Sequence, residues 1–163
     1  MFREKVKPRK IRPEKIEEYN IPFSLISGIK AGNDLALPDG GTVPNLELTL
    51  NPPAPVAYAF CSDTAPSQTV AAVVRGVDLL YHEATFTNEH IEEAAIAYHS
   101  TAAQAAEIAH LAGVGKLLLG HISGRYTDEE QHLAEAKIIF PNTEIAQEGD
   151  RWEVGGAFST FAP

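Results

Sequence analysis

From Val56 onward the sequence alternates short apolar runs with amphipathic or alanine-rich stretches, and that alternation constrains the fold more than any other feature. Apolar runs fall at 56–61, 77–82 and 116–120. Helical stretches fall at 66–75, 88–98, 101–112 and 128–137, and short strands are expected near 143–146 and 151–154. Strands separated by helices build β-α-β units, so the expected fold class is α/β with a largely parallel sheet. The helix over 101–112 is the best defined, because Thr101-Ala102-Ala103-Gln104 matches a capping box and Gly113 stands where a left-handed C-cap belongs. Glu148-Gly149-Asp150 supplies a turn between the last two strands, which would pair antiparallel. Residues 155–163 carry no assignable pattern.

The region before Val56 reads differently. A basic opening leads into a short helix from Pro13 to Tyr19, a second over Phe23 to Ile29, and a hairpin over 35–43 whose Pro-Asp-Gly-Gly supplies the turn. Asn51-Pro52-Pro53-Ala54-Pro55 continues neither helix nor ladder and marks a boundary. The 163 residues are 44% apolar, enough for one domain or part of one. No apolar run reaches eighteen residues and no secretory leader is evident, so a soluble, cytoplasmic protein without membrane contact is expected. Cys61, the one cysteine, lies in an apolar run and reads as a buried structural side chain. The net charge of −9 argues against a nucleic-acid partner, yet seven of the 13 Lys and Arg crowd the first fifteen positions. That cluster reads as a solvated arm, with RNA contact as the alternative.

Three apolar runs end in groups with chemical potential: Cys61-Ser62-Asp63-Thr64, His82-Glu83-Ala84-Thr85 and His121-Ile122-Ser123. In parallel strands these gather at the carboxyl edge of the sheet, where ligands of open α/β folds sit. His99 precedes the 101–112 helix and could lean over the same edge. Neighbouring strand residues face opposite ways, so His82 and Glu83 are not both expected at the site. Carboxylate and imidazole together suit Zn²⁺, and a bridging carboxylate can hold two metal ions roughly 3.5–4 Å apart. Each residue also has a plainer reading. Asp63 could cap a helix, His121 could be a hydrogen-bonded core histidine, and His99 could merely flank its helix. Glu83 is harder to dismiss, since a carboxylate near a core is costly unless paired. His90, His110 and His132 sit among polar neighbours on helices and read as surface residues.

The ordered segments Ser62-Asp63-Thr64, Gly76 to Phe86 with its His-Glu-Ala-Thr, His99-Ser100-Thr101-Ala102-Ala103-Gln104, and Leu117 to Tyr126 with its Gly-His-Ile-Ser-Gly-Arg resemble the distal half of the ribonuclease Z family. That family lies within the metallo-β-lactamase superfamily. Phe140-Pro141-Asn142-Thr143 and Lys7-Pro8-Arg9-Lys10 fit as well, and the resemblance covers about residues 1–154. It implies the C-terminal βα half of an αβ/βα sandwich, cut from a zinc-dependent endoribonuclease in which a metal-activated water removes the 3′ trailer of precursor tRNA.

Carried across, the resemblance implies that Asp63 bridges two zinc ions and that His121 ligates one of them. Glu83 and His99 would form a pair in which the carboxylate orients an imidazole that protonates the departing ribose oxygen. Ser123 and Arg125 would lie near the scissile phosphate. The resemblance also implies a homodimer for the full-length protein. Ser62 departs from the family's usual glycine before Asp-Thr. The family's His-x-His-x-Asp-His signature and its protruding tRNA-gripping arm are absent from this chain, so the piece alone is expected to be inactive and to hold zinc weakly. An uncovered apolar sheet face should also promote self-association. Two alternatives are another metallo-β-lactamase-fold phosphodiesterase and a non-catalytic interaction domain that retains the motifs.

Overall fold

The computed structural model describes residues 1–154; the segment 155–163 lies outside the described residues. Contacts divide it into a small unit, Glu4–Pro55, and a larger one that joins residues 1–3 to the chain from Val56 on. The chain opens with β1 (Phe2–Arg3), part of the larger unit. The small unit follows, comprising β2 (Lys10–Ile11), α1 (Pro13–Glu18), α2 (Phe23–Ala31), β3 (Leu35–Ala36), β4 (Thr42–Val43), α3 (Asn45–Leu48) and β5 (Thr49–Leu50). Pro13 begins α1, where its missing N–H costs nothing, and Gly32 closes α2 at φ 115°. Strands β3 and β4 pair as the expected hairpin. The unit closes around Ile21, Ile29, Leu35, Val43 and Leu48.

The larger unit carries β6 (Ala57–Cys61), α4 (Gln68–Val73), β7 (Leu79–Glu83), α5 (Ile91–Ala97), α6 (Ala102–Ala112), β8 (Lys116–Gly120), α7 (Glu130–Ile139) and β9 (Thr143–Ile145). Its sheet runs β1-β6-β7-β8-β9, parallel throughout except for the antiparallel edge strand β1. Register places Cys61 beside His82, His82 beside Leu119, and Glu83 beside Gly120. The three chemistry-bearing strand ends therefore share one edge.

One sheet face packs Ala57, Ala59, Leu80, Leu117 and Leu119 against Ala102, Ala105, Ala106 and Ala109 of α6, with Ala71 and Ala136 from the flanking helices. Small side chains let the helix backbone approach closely, and burial of this layer supplies most of the drive to fold. Helix α6 has the predicted capping box, with Thr101 Oγ1 accepting from the Gln104 N–H and Gln104 Oε1 accepting from the Thr101 N–H, and Gly113 closes it at φ 61°. The opposite face is aromatic: Phe60 stacks on Tyr81 at 4.4 Å and Phe2 on Tyr58 at 6.4 Å, with Phe60 54% exposed.

The expected helical stretch at 88–98 forms as a 3₁₀ turn (Asn88–His90) followed by α5, ended by Tyr98 in the left-handed region at φ 58°. One expectation fails. Among the described residues, 151–154 form no strand and have no antiparallel partner. The Asp150 carboxylate closes the turn on the Gln147 N–H, and Trp152 lies 4.6 Å from the Lys116 ammonium, so the chain crosses the aromatic face instead of returning beside β9. Among the described residues, no helix is long and apolar enough to cross a membrane.

Candidate metal centre

Both outer site residues stand where the backbone leaves a strand, and both adopt a conformation that side-chain-bearing residues avoid. Asp63, two residues beyond β6, has φ 47°, and His121, directly after β8, has φ 56°. Left-handed backbone at such positions stores on the order of 1–3 kcal/mol each and persists only where the surroundings over-determine it. Here the turns bring His121 Nε2 to 3.1 Å from Asp63 Oδ1. Gly120, just before His121, lets the Tyr81 ring lie against the end of β8, because a Cβ there would collide with its hydroxyl.

Beneath them lies Glu83, whose side chain is fully buried. Its Oε1 accepts from the N–H groups of Thr64 (3.0 Å) and Ser100 (3.1 Å) and from His99 Nδ1 (2.8 Å). Its Oε2 accepts from the Thr85 N–H (3.0 Å) and hydroxyl (2.7 Å). Burial pushes this carboxyl up, but the hydrogen bonds from Thr85, His99 and Ser100 outweigh it and hold the group below the usual carboxylate range. Glu83 is thus an ionised acceptor at the centre of the strand edge. His82 points the other way, as strand alternation requires: its Nδ1 donates to the Glu83 carbonyl at 2.7 Å, and burial pushes its pKa down.

Asp63, His99 and His121 each offer one ligand atom, and these atoms lie within 4.8 Å of one another. The His99 and His121 rings stack with centroids 5.4 Å apart. Two imidazole nitrogens and a carboxylate oxygen suit a divalent transition metal, so the residues present fit such an ion. The sequence placed Asp63 and His121 together as ligands and His99 beside them as an acid; the structure gathers all three into one cluster.

Ser123 and Arg125 follow on the same loop. The Ser123 N–H donates to the Thr85 carbonyl at 3.2 Å. The Arg125 guanidinium lies 4.9 Å from the Phe86 ring and donates to Glu93 Oε2 at 2.8 Å. Cys61 is half-buried, and burial pushes its thiol up, as befits a structural side chain.

His132 corrects the surface reading. It is fully buried on α7, with its ring perpendicular to that of Tyr126 and the centroids 4.5 Å apart, and burial pushes its pKa down. The residue sits one helical turn before buried Ala136, on the face turned inward, a placement that its polar neighbours in sequence concealed. His110 is exposed as expected, whereas His90 is half-buried with Nδ1 3.0 Å from the Tyr126 hydroxyl.

Sequence reasoning gave no role to Thr85, Thr64, Ser100 or Tyr81. Ser100 Oγ donates to the Thr64 carbonyl at 2.7 Å, tying the β6 loop to the start of α6. The Tyr81 phenol is pushed up by burial and by the Asp63 and Glu83 charges, a sign of its closeness to the site. Thr85 was visible inside the His-Glu-Ala-Thr motif, but nothing in spacing distinguishes a hydroxyl that bridges three partners from one that caps a loop.

The parallel sheet, its helical layer and the carboxylate–imidazole edge define a partial fold of the metallo-β-lactamase type. A solved structure described as the metallo-β-lactamase fold protein YhfI of Bacillus subtilis aligns with 61% of this chain and 40% of its own, at a TM-score of 0.54 and 29% identity. No family model matches the sequence. Among curated proteins, the chain is 47% identical over 148 residues to the Ribonuclease Z of Phocaeicola vulgatus, a match covering 91% of this chain and 48% of that protein. It is 44% identical over 154 residues to the Ribonuclease Z of Parabacteroides distasonis, covering 94% of this chain and 51% of that protein. The resemblance drawn from the motifs is thereby borne out, and the chain spans about half the length of the curated relatives it matches.

Proposed function

We propose that this chain supplies part of the active centre of a zinc-dependent endoribonuclease that removes the 3′ trailer of precursor tRNA. The observation that carries the reading is the buried Glu83 bonded to His99 at 2.8 Å on the same strand edge that brings His121 to 3.1 Å from Asp63. Sequence similarity to proteins named Ribonuclease Z supports the substrate class.

Asp63 and His121 would hold the metal, which when bound supplies Lewis acidity and an activated water for attack on phosphorus. His99, bonded to Glu83, would hand a proton to the departing ribose oxygen, since a tuned imidazole held by a second group is suited to a leaving alkoxide. Arg125 would turn to the scissile phosphate. Its pair with Glu93 lies at the surface, with side chains 44% and 54% exposed, and pairs of that kind contribute at most about 1 kcal/mol, so exchanging the carboxylate for a phosphate is cheap.

The chain alone is expected to cleave no 3′-extended tRNA and to lose zinc on dialysis, because the carboxylate of Asp63 and the imidazole of His121 leave a tetrahedral site unclosed. Stoichiometric zinc retained through dialysis would count against that incompleteness. Mixed with the half of the Phocaeicola vulgatus Ribonuclease Z that this chain does not match, it is expected to cleave a 3′-extended tRNA in the presence of zinc. The variant H99A should reduce that rate by about 10²–10⁴-fold, the usual contribution of a positioned acid. An associated, zinc-loaded pair that leaves the RNA intact would overturn the proposal.

A further inference from the structure

The Thr85 hydroxyl contacts three site residues at once: Glu83 Oε2 at 2.7 Å, His121 Nδ1 at 2.9 Å and His99 Nδ1 at 3.2 Å. A hydroxyl has one hydrogen to give. Both Glu83 oxygens already accept backbone N–H groups, from Thr64 and Ser100 on one side and from Thr85 on the other, so the carboxylate is an acceptor throughout. The hydrogen between Thr85 and Glu83 therefore comes from the hydroxyl. That leaves Thr85 Oγ1 an acceptor, and His121 Nδ1 must donate to it. His99 Nδ1 donates directly to Glu83 Oε1.

We propose that Thr85 is a positioning residue that relays the buried Glu83 carboxylate to His121, fixing this imidazole as its Nδ1–H tautomer and turning its Nε2 lone pair toward Asp63. One buried carboxylate then orients both imidazoles of the centre, His99 directly and His121 through a hydroxyl. His121 Nε2 and Asp63 Oδ1, two acceptors 3.1 Å apart in that tautomer, form a pair that a shared cation relieves. The consequence for metal affinity rests on the reading of Asp63 and His121 as ligands, whereas the tautomer itself does not.

Long-range proton–nitrogen NMR of the histidine rings, on the metal-free chain at a pH where they are neutral, tests the relay. Wild type is expected to show both His99 and His121 as Nδ1–H. In T85V, His121 is expected to move to the Nε2–H form, which can donate to Asp63, while His99 stays Nδ1–H. T85S should behave as wild type, and should do so even if T85V folds poorly. A wild-type His121 in the Nε2–H form, or a His121 tautomer unchanged in folded T85V, would overturn the proposal. Zinc titration of the same variants separates the two layers: T85V is expected to bind about 10–100-fold more weakly, the usual cost of losing a partner that orients a ligand. A tautomer that switches without any change in zinc affinity would leave the relay standing and remove His121 from the ligand set.

Discussion

The inner and outer parts of the site are built on opposite principles. Glu83 is fully buried, lies on a regular strand and is bonded by Thr64, Thr85, His99 and Ser100. Asp63 and His121 stand beyond their strands in left-handed backbone, with side chains 65% and 45% exposed and His121 Nε2 3.1 Å from Asp63 Oδ1. The inner part contributes to stability and fixes geometry. The outer part costs conformational energy and presents donors. This division is expected where a fold positions chemistry, because strain at the functional rim persists only when a rigid neighbour holds it.

The sharpest way to break that comparison is to remove Glu83. E83A strands buried N–H donors and is expected to destabilise the chain by about 3–5 kcal/mol, read by denaturant unfolding. A loss under about 1 kcal/mol would mean that the inner part organises nothing.

Acid should erode the same inner region in two stages. His82 and His132 have depressed pKa values in the fold, so their unfolded forms bind protons first. Their stabilisation is complete above the ordinary histidine value of about 6.5 and is lost as pH falls from there through the folded values. Glu83 is also depressed, so its contribution holds above about 4.3 and is lost only below it. Melting temperature should decline from about pH 6.5 downward, then more steeply below about 4.3. H132F should flatten the first limb while leaving the second. A profile of H132F parallel to wild type between pH 5 and 7 would assign that limb to other groups.

The smallest expected stability effect lies at the rim. D63A and H121A should each change unfolding free energy by no more than about 1 kcal/mol, since little packing is lost and each position remains as strained as before. D63G and H121G, which remove the Cβ from a left-handed position, should unfold later than the corresponding alanine variants. All four should lose zinc binding in calorimetric titration. A rim substitution that destabilises as much as E83A would erase the distinction between the two parts.

Much of this was legible before any coordinates. Strand β8 falls on the apolar run at 116–120, and the capping box and glycine stop of α6 lie where Thr101, Gln104 and Gly113 place them, because these are local signals. Strand ends sharing one edge followed from the βα alternation, and with them the gathering of Asp63, Glu83 and His121. His82 and Glu83 pointing opposite ways followed from the pleat.

What the sequence could not decide depends on neighbours distant in the chain. His132 is buried because α7 turns that face inward beside Tyr126, while its sequence neighbours are polar. Residues 151–154 run outside the sheet, with the Trp152 ring over the Lys116 ammonium. Thr85 becomes the centre of a relay only once Glu83, His99 and His121 are within hydrogen-bonding distance of its hydroxyl. The alternation of strands and helices by itself determined that a polar edge would exist and which residues would reach it. Only the tertiary structure decided which of them are buried, which carry backbone strain and which hydrogen each one donates, since those properties belong to contacts between segments and not to any segment alone.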